Sequence, residues 1–213
     1  MKPTTYRAAV TFMLAASSLT AAVEAGQSPF SVSMRTTEID GLTIAYREAG
    51  NPDNPTVLLL HGFPTSSHMF RNLIPELADD YHVIAPDYPG FGASDMPDAA
   101  AYEYSFANTA DVLTKLIDEK GIEQYSVYLM DYGAPVGYRM FAKHPERVSG
   151  FIIQNGNAYE EGLREFWDPI KAYWAEPTKE NGDALRAFLT LDATRWQFTH
   201  GVGDVSKVNP DNY

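Results

Sequence analysis

The sequence predicts an α/β fold: a mostly parallel sheet flanked by helices, with a hairpin ahead of it and helices without strands behind it. Three observations carry that prediction. Short apolar runs at residues 56–60, 82–85, 126–130 and 148–154 alternate with stretches of helical periodicity. The first run, Thr56-Val57-Leu58-Leu59-Leu60, is apolar on both of its faces from Val57 onward, as a strand covered on both sides must be. The connections between runs are long enough to be crossovers, which parallel neighbours require and hairpins do not.

The elements follow in order. Residues 1–25 differ from the rest: Lys2 and Arg7 precede an uncharged, mostly apolar stretch from Ala8 to Val23, and Val23-Glu24-Ala25 then offers small side chains at the two positions a signal peptidase inspects. A secretory signal peptide is expected there, and with it a secreted or periplasmic protein that is not membrane-bound after cleavage. Over residues 33–49, alternating and β-branched residues flank Asp40-Gly41, a hairpin signal, and Asn51-Pro52-Asp53-Asn54-Pro55 is a second turn. After the 56–60 strand, Met69, Leu73, Ile74 and Leu77 fall on one stripe of a single expected helix.

Residues 82–85 form a short strand, followed by a turn-rich loop over 86–97 that carries Gly90 and Gly92. Ser105 can cap a helix whose apolar face is Phe106, Ala110, Leu113, Leu116 and Ile117, closed at Gly121. The 126–130 strand runs into a helix from about Ala134. Pro135 is tolerated in its first turn, Lys143 and His144 suit its negative end, and Pro145 stops it. The 148–154 run is the last strand. Residues 158–213 are rich in aromatic residues at helical spacing, so the expected domains are a core over 26–157 and a helical cap over 158–213.

Composition narrows the function. Apolar residues at 45 % and charged residues at 21 % give a folded core rather than a disordered chain. The net charge of −12, with no basic cluster, excludes a nucleic-acid partner. With no cysteine there is neither a disulfide framework nor a Cys-ligated metal, and no HExxH suggests a metal hydrolase. No cofactor is expected either, since no G-x-G-x-x-G follows the first strand of the sheet. The partner implied is a small, mostly apolar substrate; oligomeric state has no signature in the sequence.

Two segments carry chemistry. Leu129-Met130-Asp131-Tyr132-Gly133-Ala134-Pro135 places an aspartate at a strand-to-helix turn, where a nucleophile is lifted above the sheet edge and the following helix start favours its ionised form. His61-Gly62-Phe63-Pro64 follows an earlier apolar strand. The N–H groups of Phe63 and Tyr132 would face the oxygen of an ester formed on Asp131 and stabilise charge when water attacks it. An aspartate after a strand is, by itself, usually a cap or a turn; both loops together, in this order, make that plain reading unlikely.

Residues 56–156 resemble the core of the α/β-hydrolase superfamily, and within it the branch with an aspartate nucleophile, the epoxide hydrolases and haloalkane dehalogenases. The matching text is His61-Gly62-Phe63-Pro64-Thr65-Ser66-Ser67, Ile84-Ala85-Pro86-Asp87 continuing through Gly90-Phe91-Gly92-Ala93-Ser94-Asp95, the Asp131-Tyr132-Gly133 elbow, and His144-Pro145-Glu146-Arg147-Val148. The resemblance implies an α/β-hydrolase fold, Asp131 as nucleophile, Phe63 and Tyr132 as the backbone oxyanion hole, and His61 as a structural member of that loop. It departs from the dehalogenase-like pattern at Phe63, where a halide-holding Asn is usual, and at Tyr132, where a Trp is usual. The HGFP loop is closer to epoxide hydrolases, in which cap tyrosines donate to the opening oxirane oxygen. Tyr159, Tyr173 and Trp174 are the candidate substrate contacts, with Trp196 a further cap tryptophan.

The expected function is therefore epoxide hydrolase-like, with haloalkane dehalogenase as the alternative and a ligand-binding protein on a hydrolase scaffold as the non-enzyme alternative. A serine esterase is disfavoured by the lack of any Gly-x-Ser-x-Gly. Hydrolysis of the ester needs a base, normally a His held by a carboxylate. The five histidines, at 61, 68, 82, 144 and 200, are each better explained structurally, with His200 the least improbable substitute. The resemblance implies that the last strands, the acid and the base lie beyond Tyr213. The chain is thus expected to be an incomplete hydrolase, inactive alone, with its 151–153 strand left as an apolar edge.

Overall fold

Residues 31–212 are described in a computed structural model of the chain; the expected signal peptide lies outside them. Six strands, β1 Ser33–Ile39, β2 Leu42–Ala49, β3 Thr56–Leu60, β4 His82–Pro86, β5 Tyr125–Met130 and β6 Val148–Gln154, form one sheet in the order β1-β2-β4-β3-β5-β6. The β1–β2 hairpin is antiparallel and joins the sheet through antiparallel β2–β4 pairing, whereas β4, β3, β5 and β6 are mutually parallel. Asp40 and Gly41, both at positive φ, make the two-residue hairpin turn.

Alternation along the parallel strands sorts the core into two layers. Leu58, Leu60, Ile84, Val127 and Leu129 pack beneath α2 Phe106–Glu119 and α3 Gly133–Lys143. Val57, Leu59, Val83 and Ala85 face the other way, onto Phe70, Ile74 and Ala78. Ser105 caps α2 by accepting from Asn108 N at 3.2 Å, and Gly121 at φ +66° ends the turn after it.

The expected single helix through Met69 and Leu77 is instead two pieces: a 3-10 turn, Ser67–Phe70, and a short helix, α1 Leu73–Leu77. Pro75 explains the break. It sits in the first turn of α1, where its missing N–H is not needed, but it would interrupt the interior of a helix begun at residue 67.

Strand β6 lies at the sheet edge and is exposed on both faces, with Ile152 and Ile153 half accessible. Phe151 is partly covered by Tyr138 and Phe141 of α3, at ring distances of 5.9 and 5.2 Å. Beyond it come three short helices, α4 Asp168–Ala175, α5 Lys179–Leu185 and α6 Leu191–Thr199. Thr178 and Thr190 cap α5 and α6, each accepting at 3.2 Å from the N–H three residues on. Among the described residues no helix is long and apolar enough to cross a membrane.

Candidate active site

Asp131 is the first of the two residues between β5 and α3, and its φ of +50° is one that few non-glycine residues adopt. Two glycines make room for it. A Cβ on Gly133 would stand 2.4 Å from the Leu60 carbonyl oxygen, and a Cβ on Gly62 would stand 2.5 Å from Cβ of Asp131. The loops after β3 and β5 therefore interlock at backbone distance, which only glycine permits.

The carboxylate is held from both loops. Oδ1 of Asp131 accepts hydrogen bonds from Phe63 N at 2.8 Å and Tyr132 N at 2.7 Å. Burial pushes its pKa above the ordinary carboxylate range, and these two amides oppose that rise without cancelling it. Because both amides engage Oδ1, the lone pairs of Oδ2 are left for attack. An ester made through Oδ2 would keep Oδ1 as its carbonyl oxygen, already between two N–H donors when water adds and charge develops.

His61 lies fully buried beneath this loop. Its Nδ1 is 3.0 Å from the Gly62 carbonyl, and its Nε2 is 3.4 Å from the Tyr88 amide, which fits a neutral ring protonated at Nδ1. Burial lowers its pKa to about 4, so it is neutral at physiological pH. Tyr88 stacks on the ring at 3.9 Å and donates through its hydroxyl to the His61 carbonyl at 2.7 Å. The buried carboxylate of Asp87 ties down the neighbouring loops, accepting from Ser67 N at 2.7 Å and Ala93 N at 2.9 Å.

Above Asp131 is a cavity of about 290 Å³. Phe63, Asp131 and Tyr132 line it from the sheet, while Trp167, Ile170, Tyr173 and Trp174 line it from α4 and the turn before it. Leu185, Phe188 and Leu189 close another side, and α6 contributes Gln197. The structure thus brings Asp131, Phe63, Tyr132, Tyr173 and Trp174 together around one space. Tyr159 is not among them: it is 78 % exposed and does not line the cavity, a correction to its place as a substrate contact. It falls in the extended segment just after β6, before the cap helices turn back over the sheet. Trp196 stays outside too, stacked on His200 at 4.6 Å.

Several lining residues were not singled out from the sequence. Trp167 and Ile170 fall at helical spacing from Trp174, which was singled out, and that spacing could have revealed them. Gln197 carried no such signal. None of the five histidines lines the cavity. His68 is 3.3 Å from Arg47, His82 is 2.9 Å from Glu48, and His144 is 3.5 Å from Glu146.

Comparison with known proteins agrees with this architecture. An uncharacterized hydrolase of Saccharomyces cerevisiae is 54 % identical over 136 residues, covering 63 % of this chain and 46 % of the yeast protein. A haloalkane dehalogenase of Bradyrhizobium diazoefficiens is 38 % identical over 161 residues, covering 75 % of this chain and 49 % of that enzyme. The chain spans about half the length of the curated relatives it matches. A solved structure from Pseudomonas aeruginosa, provisionally described as an epoxide hydrolase, superposes with a TM-score of 0.69 at 25 % identity, over 84 % of this chain and 62 % of that one. The sequence pattern of the alpha/beta hydrolase fold matches residues 55–207, nearly three quarters of the chain. On that match, and on the sheet and elbow described above, the chain belongs to the α/β-hydrolase fold family.

Proposed function

We propose that Asp131 is the nucleophile of a hydrolase site that opens an epoxide on an apolar small molecule and forms an alkyl-enzyme ester. The observation that carries this reading is the Asp131 carboxylate itself: strained, clamped through Oδ1 by two backbone amides, and lining an aromatic cavity. In the proposed step Oδ2 attacks an oxirane carbon, the ring C–O bond breaks, and the released alkoxide takes a proton from a cavity phenol or from water. The product is a hydroxyalkyl ester of Asp131. Tyr173 is the proposed donor of that proton, a reading supported by its place in the cavity lining, which Tyr159 does not share.

Attack on a haloalkane, with halide leaving, is the second reading, favoured by the dehalogenase relative and by two tryptophans, Trp167 and Trp174, at the cavity wall. Epoxide opening leads because Phe63 and Tyr132 have no side-chain N–H to hold a halide beside Asp131. With no imidazole lining the cavity, the 213-residue chain is proposed to accumulate the ester rather than turn over.

Intact-protein mass spectrometry after incubation with 1,2-epoxyoctane or 1-bromohexane tests all three points. The expected result is one adduct per chain, mapped to Asp131 and lost in Asp131→Asn. No adduct with either reagent sinks the nucleophile, leaving a binding protein on this scaffold. Steady multiple turnover sinks the claim that the ester accumulates.

A further inference from the structure

Two peptide N–H groups hold Oδ1 of Asp131, and they differ in what engages the far end of their own peptide. The Phe63 N–H belongs to the peptide whose carbonyl is that of Gly62. That buried residue's carbonyl oxygen lies within hydrogen-bond distance of three donors: the Thr65 amide at 3.0 Å, the Thr65 hydroxyl at 2.9 Å and His61 Nδ1 at 3.0 Å. A carbonyl oxygen has two lone pairs, so this one is engaged to capacity. The Thr65 hydroxyl also lies 3.3 Å from Sδ of Met69, a weaker acceptor for its one proton. The Tyr132 N–H, by contrast, belongs to the peptide whose carbonyl is that of Asp131, which accepts from the Ala134 amide at 3.0 Å. Donors at a peptide's oxygen draw electron density from its nitrogen, and the N–H at the other end becomes a stronger donor.

Resting on the proposed function, we infer that Thr65 is a positioning residue: its hydroxyl fixes the Gly62 carbonyl and thereby aims and strengthens the Phe63 N–H that holds the nucleophile. Residues 62–65 form a turn whose last residue, Thr65, bonds back to the first through both its amide and its hydroxyl. The amide bond closes the turn whatever the side chain; the hydroxyl is the part that a substitution can remove. Thr65 does not line the cavity, so it acts through the backbone of residues 62 and 63. When an ester on Asp131 is attacked, Oδ1 gains charge, and the bond from Phe63 is the one that Thr65 reinforces. The same bond opposes the rise that burial gives the Asp131 pKa, so a weaker Phe63 donor leaves the carboxyl easier to protonate.

The test is a pH titration of the Asp131 carboxyl carbon resonance by NMR in the full chain, in Thr65→Val, which keeps the shape and removes the hydroxyl, and in Thr65→Ser, which keeps the hydroxyl. The signal reads Asp131 itself, apart from His61 with its pKa of about 4 and from the Tyr88 and Tyr132 phenols, which burial keeps protonated. In Thr65→Val the midpoint should rise by about 0.2–0.6 pH unit, the share of a charge-assisted hydrogen bond that one cooperating neighbour supplies. The Phe63 amide proton should move upfield with it, and Thr65→Ser should titrate as wild type does. An unmoved or lowered midpoint in Thr65→Val overturns the inference. An equal rise in Thr65→Ser does so too, because it would trace the effect to side-chain packing and not to the hydroxyl. Thr65→Ala carries the same expectation as Thr65→Val and takes its place where the valine variant does not fold. The titration needs no reaction, so it decides Thr65 even where 1,2-epoxyoctane leaves no adduct and the nucleophile has failed. Where the adduct forms, the fall of labelling in acid should move up in Thr65→Val by the same amount as the midpoint, and an unchanged labelling profile overturns the inference.

Discussion

Substituting Glu48→Gln removes the centre of a buried polar cluster and gives a stability change that can be worked from the structure. Glu48 is on β2 and is 7 % exposed. Oε1 lies 2.9 Å from His82 Nε2 and 2.7 Å from Lys120 Nζ, and Oε2 lies 2.6 Å from Arg35 Nε. His82 in turn has its Nδ1 3.4 Å from the Thr56 hydroxyl. The hydrogen bond from His82 is the largest influence on Glu48; with those from Lys120 it outweighs burial and brings the pKa from 4.5 down to about 2. At ~1.36 kcal/mol per unit, a shift of that size is worth about 3 kcal/mol of folding free energy.

The folded-state pKa is depressed, so this stability is present above pH 4.5 and is lost as pH falls towards 2. Urea denaturation at pH 7 should show Glu48→Gln destabilised by about 2–3 kcal/mol, in line with breaking a buried pair from one side. Between pH 4.5 and 2 the wild type should lose stability more steeply than the variant, and the two should converge at the acid end. A variant within about 0.5 kcal/mol of wild type at pH 7, with the same slope in acid, would refute the reasoning, since surface substitutions change stability by no more than that.

Four further outcomes are expected. Labelling of Asp131 by an epoxide should fall away in acid at a pH above the range of an ordinary aspartate, because burial raises its pKa and only the carboxylate attacks; stopped-time mass spectrometry across pH 4–8 reads it. The same raised pKa means the ionised side chain costs folding free energy at neutral pH, a cost that disappears as pH falls, so Asp131→Asn should melt higher than wild type by calorimetry at pH 7. His61→Ala should cost about 2–4 kcal/mol in denaturation experiments, since it leaves a cavity against Tyr88 and strips the Tyr88 amide of its acceptor. Ile152→Lys, placed on the exposed edge strand, should reduce concentration-dependent light scattering without lowering the melting temperature by more than a few degrees.

What was legible in the sequence is what is local. Strand β3 announces itself because four successive residues, Val57 to Leu60, covered on both faces, must be apolar, and the hairpin because Asp40-Gly41 can take positive φ twice. Asp131 was legible for a related reason: a strand end, then a glycine two places on, leaves few other ways to pack a helix against Leu60. The stripe through Met69 and Leu77 misled because periodicity reports a face and says nothing about the missing N–H of Pro75. Tyr159 misled because aromatic content marks a cap without giving the path of the chain, and a residue before the first cap helix does not face what the residues within it face. Gln197 was invisible as a lining residue: a glutamine on a short helix reads as solvated, and it is indeed exposed while also bordering the cavity.

The Glu48 cluster was illegible for a deeper reason, and it bears on how the site works. Glu48 and His82 meet because β2 pairs with β4 rather than with β3, a crossing that no local pattern encodes. Thr56 and His82 open β3 and β4, whereas His61 follows the other end of β3, and Asp131 follows the matching end of the next parallel strand, β5. The same rigid strands thus carry a fully partnered charge cluster at one end and a strained, desolvated carboxylate at the other. Strain at Asp131 persists only where the surrounding structure over-determines it, and the packed ends of β3 and β5 do so locally through Gly62 and Gly133. It follows that loosening the far end should weaken the fold and leave the elbow's geometry intact. Measured well below its melting temperature, Glu48→Gln should label Asp131 at the wild-type rate; a rate lowered tenfold would mean that the two ends of the sheet are coupled and that the elbow is not held by its own loops.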